Sequence, residues 1–422
     1  MVNVAKWLEE LEKPCPAGFE ALLERAALTL QNNIIDVCPP SGELPRWIRE
    51  KNPDMTEEER LTLPPWRPLR GICPSISHYP GVWNWDSAFH AMTVARWGPE
   101  LASEQVEIFL NAQLADGMLV DAIFANGHVI DSFGKPPVMP WAATVVDSYM
   151  GSSEWIGKVY PAFVRYEEFW RVKRGGDEDG LFHYVHSFES GWDKSPRFDD
   201  GVDTILPVDL NCYMVLFYRA LAYMAERCGS ETDVEHWRQR EAALADTVNG
   251  RLFDAARGCY YDYDKARECH TGVLTPASLM PLYIGIADHA MASAVAEPAL
   301  DEKKLYPSFP TVAFDHPAYA GDGKTYSWRG PTWLNVAFFA LQGLKRYGMA
   351  EQAEKSRDLL LEWCARGDSI HECYGAADGD PRGAPAFGWS AAFVIEMLLG
   401  WDDHLDRFPC VSPVARSGAP RA

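Results

Sequence analysis

Apolar residues recur at three- and four-residue spacing along most of the chain, and this period predicts an all-α protein. It runs through 18–36, 85–97, 101–114, 138–150, 154–174, 207–228, 231–252, 274–296, 331–348, 350–366 and 388–407. Pro99, Pro140, Pro207, Pro276 and Pro331 fall at or near predicted first turns, where a missing N–H costs the helix nothing. Glycine or a polar loop follows many predicted ends, as at Arg174-Gly175-Gly176 and Tyr347-Gly348. Only Leu181–Phe188 and Cys259–Tyr263 read as strand-like runs.

Long segments at 71–86, 122–138, 186–206, 308–331 and 367–388 interrupt the helices and are rich in Trp, Gly, Pro and charge. Loops of that length inside a compact domain are usually functional, and their aromatic content is wrong for disorder. No linker or low-complexity tract divides the chain. Helix pairs recurring every 35–60 residues predict a toroid of helical hairpins over 1–410, its long loops gathered at one rim. A plain bundle or solenoid would leave those loops unexplained. Residues 411–422 read as a flexible C-terminal tail, mobile over Ser412–Ala422.

Composition narrows the function. Across 422 residues, 60 acidic and 39 basic side chains give a net charge of −21. Nucleic acid and anionic membrane surfaces attract Lys and Arg, so neither is an expected partner. Sixteen Trp, 17 Tyr and 19 Phe supply flat faces for sugar rings as well as core filling. Ten cysteines without C-x-x-C spacing, and an N-terminus without a signal-length apolar run, lead to the expectation of a reduced cytoplasmic protein.

Four segments carry candidate chemistry. In Glu189-Ser190-Gly191-Trp192-Asp193-Lys194-Ser195-Pro196-Arg197, an acid follows a Trp whose apolar face would raise its pKa, as a general acid requires. Asp193 alone reads equally as a turn residue capping the next helix; the whole nonapeptide is far more specific. Glu372 of Ser369-Ile370-His371-Glu372-Cys373-Tyr374 precedes a glycine-rich loop and Gly388-Trp389-Ser390; it reads as a base for water or as an exposed helix-end acid. His78-Tyr79-Pro80-Gly81-Val82-Trp83-Asn84-Trp85-Asp86-Ser87 sets three aromatics beside Asp86, which reads as a helix N-cap or as an acceptor for sugar hydroxyls. Tyr326-Ser327-Trp328-Arg329-Gly330-Pro331-Thr332-Trp333 offers an Arg for a carboxylate or a structural ion pair. Nucleotide-binding, serine-hydrolase and zinc motifs are absent, so no metal site is expected.

Together these segments resemble the inverting glycoside hydrolases built on an (α/α)6 barrel. The signature E-S-G-W-D-x-S, the early W-D-S and the late Glu are shared by trehalases and glycoside hydrolase family 63. The nearest resemblance is to short bacterial family 63 members, the mannosylglycerate and glucosylglycerate hydrolases, over roughly residues 70–400. It implies Asp193 as general acid and Glu372 as general base, roughly 6.5–9.5 Å apart if the reaction inverts. It implies Tyr79, Trp83, Trp85 and Asp86 around the nonreducing sugar, Gln113 nearby, Trp192, Trp333 and Trp389 completing the walls, and no cofactor. Gly134-Lys135-Pro136-Pro137 replaces the S-Q-P-P of trehalases, and Ser327 replaces the Tyr of Y-W-R-G-P. A glycerate carboxylate would need a cation, with Lys135, Lys194, Arg197 and Arg329 as candidates.

The expected substrate is therefore a small α-glycoside, mannosylglycerate or glucosylglycerate first, with a neutral α-glucoside as the alternative. Two other classes are distinguishable. A sugar 2-epimerase would depend on His371 or His90, and a sugar-binding barrel without chemistry would need neither acid. Homo-oligomerisation is left open by the sequence.

Overall fold

The computed structural model describes residues 4–9, 11, 13–37, 56, 69–125, 128–175, 180–320 and 327–411. The predicted tail at 412–422 and Tyr326 of the fourth segment lie outside the described residues. Twelve of the described helices form the frame, in chain order: α1 (Glu20–Asn32), α2 (Asn84–Val94), α3 (Pro99–Asn111), α4 (Met139–Met150), α5 (Glu154–Lys173), α6 (Val208–Arg227), α7 (Glu231–Leu252), α8 (Met280–Tyr283), α9 (His289–Ala299), α10 (Leu334–Arg346), α11 (Ala350–Ala365) and α12 (Gly388–Leu399).

The even-numbered helices close a ring. Each packs on the next, α2 to α4 to α6 to α8 to α10 to α12, and α12 returns to α2. The odd-numbered helices form an outer layer: α1 lies on α12, α3 on α2, α5 and α7 on α6, and α11 on α10. Side-chain character separates the extremes of the two layers, although the outer α3 is itself buried from Leu101 to Asn111. Every residue of α2 and of α12 is buried, whereas α7 buries only Trp237, Leu244, Ala245, Val248 and Leu252. A helix apolar all round needs neighbours on every side, while one with a single apolar stripe sits at the surface. The fold is an (α/α)6 barrel.

Two of the expected elements are redrawn by local signals. The period over 274–296 covers three pieces: a 3-10 turn at Pro276–Leu279, the single turn of α8, and α9. Gly285 turns the chain at φ +71°, and the Asp288 side chain caps α9 by accepting from the Met291 N–H at 2.7 Å. Apolar spacing continues across the break because both helices bury apolar residues in the same hydrophobic core. The strand-like run Leu181–Phe188 forms only one bridge, between Phe182 and Gly175, and then enters a 3-10 turn at Ser187–Ser190.

The inner helices present their N-terminal ends to one rim. Trp83, Trp85 and Asp86 stand at the start of α2, Lys135 just before α4, Asp193 before α6, Trp328 and Trp333 before α10, and Glu372 and Trp389 at the approach to α12. The long loops thus converge on the end of the barrel where the helix dipoles are positive.

Candidate active site

A cavity of about 350 Å³ opens at this rim. Tyr79, Trp83, Trp85, Trp328, Trp333, Phe387 and Trp389 form its walls; Asp86, Asp193, Glu372, Lys135 and Lys194 supply the charges. Trp328 stacks on Trp333 at 4.1 Å and Trp85 meets Trp389 edge-on at 5.2 Å. These contacts fix the ring planes before any ligand arrives.

The loop carrying Asp193 is pinned at both ends. Upstream, Glu189 is fully buried, paired with Arg174 at 2.9 Å and accepting the Val185 N–H at 2.8 Å. Downstream, the Arg197 guanidinium lies between Asp209 at 2.6 Å and Asp262 at 2.7 Å, above the Trp192 ring. Between them Gly191 adopts φ +71°, and a Cβ there would come within 2.4 Å of the Trp85 ring, so only glycine fits. The Asp193 carbonyl accepts the Trp328 N–H at 3.2 Å, tying the acid loop to the tryptophan wall. Burial raises the Asp193 carboxyl above the ordinary aspartate range, partly offset by Lys135, His186 and Lys194.

Glu372 lies in the strand His371–Tyr374, paired antiparallel with Pro381–Pro385. The register shifts between His371 and Cys373, where Gly383 and Ala384 of the partner strand stand opposite the single residue Glu372. The bulge therefore lies in the partner strand, directly across from the carboxylate. Its Oε2 accepts the Ala384 N–H at 2.9 Å. Burial pushes the carboxyl up to about 7, with Ala384 and Tyr79 opposing and the charge of Asp193 adding to the rise.

Asp86 is the third residue of α2 and does not cap it. Its carboxyl is raised well above the usual range by burial, against the pull of Lys135. Lys135 donates to the Phe188 carbonyl at 2.6 Å and lies 3.6 Å from Asp121, whose carboxyl is pushed up to about 6 by burial. Sequence reasoning misses Asp121, although it immediately precedes the strand Ala122–Phe124 that pairs with Gly81–Trp83. It misses Phe387 too, masked by the more conspicuous Gly388-Trp389.

Three expected residues stand elsewhere. Gln113 follows an outer helix and is consumed by backbone and Arg165, donating to Gly117 and Ala162 carbonyls at 2.9 Å each. Trp192 sits behind the wall, stacked on Trp328 at 4.8 Å. Arg329 pairs with Asp199 and is not among the cavity's lining residues. His90 and His371 also lie outside the lining, and burial lowers the pKa of both, to about 3 for His90. Among the described residues no three His, Cys, Asp or Glu side chains cluster as metal ligands. No described helix is long and apolar enough to cross a membrane.

Residues 79–390 match the family model of the mannosylglycerate hydrolase MGH1-like glycoside hydrolase domain. The chain belongs to this family. It is a glycoside hydrolase. The mannosylglycerate hydrolase of Rubrobacter radiotolerans is 24% identical, over 77% of this chain and 92% of its own. That of one Thermus thermophilus strain is 26% identical, over 76% and 95%. The glycoside hydrolase family 63 mannosylglycerate hydrolase of a second Thermus thermophilus strain, solved with Tris and D-glycerate, superposes with a TM-score of 0.72 at 21% identity, covering 89% and 99%. Neutral trehalase from Saccharomyces cerevisiae shares the fold at a TM-score of 0.66 and 17% identity, over 81% and 75%.

One glycine controls the hydrolase's Glu372. Gly383 has φ +69°, and a Cβ there would lie 2.4 Å from Glu372 Oε2. Gly383→Ala is expected to displace that carboxyl and lower kcat about 100-fold, the cost of an ångström-scale misplacement. Steady-state kinetics beside a melting curve checks this. A variant with native kcat would show that the carboxyl does not need this seat.

Proposed function

We propose that the protein is an inverting exo-α-glycosidase of small α-glycosides, with mannosylglycerate or glucosylglycerate as first substrates. Asp193 protonates the glycosidic oxygen and Glu372 activates a water on the opposite face of the sugar. The observation that carries this reading is positional. Asp193 precedes α6 and Glu372 precedes α12, three steps apart in a ring of six inner helices, so they approach one aromatic-walled cavity from opposite sides. Opposed carboxyls with a water between them are what single displacement requires. Asp86 accepts hydroxyls of the nonreducing sugar, whose faces rest on Trp83, Trp85 and Trp389.

Proton NMR of an α-glycoside digest tests the mechanism. The β-anomer of the free sugar is expected first, with the α-anomer growing in by mutarotation. Release of the α-anomer first would overturn inversion.

A further inference from the structure

Of the four cations that the sequence offers to an anionic leaving group, three are engaged elsewhere. Arg197 is buried between Asp209 and Asp262. Arg329 is held by Asp199, away from the cavity lining. Lys135 is buried against Asp121 and the Phe188 carbonyl. Lys194 differs from all three: it lines the cavity, its side chain is exposed, and no carboxylate is paired with it among the described residues.

Its backbone adds a second observation. Lys194 holds φ +59°, in the left-handed region. That conformation favours Gly or Asn and strains a lysine, whose Cβ crowds the following carbonyl oxygen. The turn is fixed on each side, by the Ser195 N–H donating to the Trp192 carbonyl at 3.0 Å and by the Trp328 N–H donating to the Asp193 carbonyl at 3.2 Å. Residues kept in such conformations cluster where a site dictates them.

We propose that Lys194 is a specificity-determining residue that anchors a carboxylate on the leaving group. This rests on Asp193 being the general acid. The acid must touch the glycosidic oxygen, so the aglycone begins beside Asp193, and the next side chain in the sequence reaches over it. The ligand class is a short hydroxy-acid aglycone; a neutral polyol of the same size lacks the matching charge.

The test uses sodium D-glycerate and glycerol as probes of the native enzyme, Lys194→Met and Lys194→Arg, by calorimetric or NMR titration. Kinetics on α-glucosylglycerate and α-glucosylglycerol run in parallel. Lys194→Met is expected to weaken D-glycerate at least tenfold and to lower the kcat/KM preference for the charged glycoside by a similar factor, with Lys194→Arg recovering most of both. Native enzyme that binds D-glycerate no better than glycerol would overturn the anchor, as would unchanged D-glycerate affinity in Lys194→Met. A shift of the alkaline limb of the pH–rate profile, with D-glycerate affinity unmoved, would reassign Lys194 to tuning the acid and overturn it too. Binding of D-glycerate that depends on Lys194, with no hydrolysis of either glycoside or of mannosylglycerate, would sustain the anchor and overturn the proposed function. Hydrolysis without charge preference would do the reverse.

Discussion

Asp193→Ala is expected to lower kcat/KM on an α-glycoside with an alkyl aglycone by roughly 10³–10⁴-fold, the upper range for losing a general acid. The size follows from the leaving group: an alkoxide departs poorly unless protonated as the bond breaks. The same variant should lose far less on an α-glycosyl fluoride, because fluoride leaves without a proton. Glu372→Ala should be severely impaired on both substrates, since water must still be activated whatever departs. This split separates acid from base in a way that simple loss of activity does not. Equal loss of Asp193→Ala on fluoride and alkyl glycoside would remove Asp193 from the acid's role. The pH profile carries the same logic. Burial raises the Asp193 carboxyl, and Lys135, His186 and Lys194 only partly offset it. The alkaline fall in kcat/KM, assigned to loss of the Asp193 proton, should therefore disappear when Asp193→Ala acts on the fluoride.

Much of this site is legible in the sequence because its residues cluster in four short segments. Trp83, Trp85 and Asp86 lie within four residues, and Asp193 is embedded in a nonapeptide whose other members hold the loop in place. Helical period likewise separates loops from helices. It does not show which helix lies opposite which, so the opposition of Asp193 and Glu372 emerges only once α12 closes on α2. The same limit governs the cations. Arg197 looks available in the sequence, yet Asp209 and Asp262, the latter 65 residues away, hold it. Gln113 fails for a similar reason: its partners at Ala162 and Arg165 belong to α5, and nothing in its own segment announces them. A helix over 274–296 is too long because apolar spacing records burial and is blind to a chain that turns at Gly285 while staying against the same core.

Glu372→Gln is expected to inactivate the enzyme and to stabilise it, and the stabilisation should depend on pH. Glu372 is only 6% exposed, and burial raises its carboxyl to about 7 from the ordinary glutamate value of 4.5. A carboxyl raised in the folded state binds its proton more tightly there than in the unfolded chain. Below the unfolded value both states are protonated, and the folded protein bears no penalty. As pH rises the unfolded chain ionises first, so stability is lost progressively until the folded group also ionises near 7. Above that pH the full cost of a buried charge remains, on the order of 3 kcal/mol for a shift of this size. Glutamine keeps an oxygen for the Ala384 N–H and carries no charge. Calorimetric melting should therefore show Glu372→Gln melting a few degrees above the native protein at about pH 8 and level with it at about pH 4. An equal gain under both conditions would attribute the effect to packing. No gain on the alkaline side would mean that the carboxylate is better solvated than its burial implies, which would also weaken its claim to be a base strong enough to activate water.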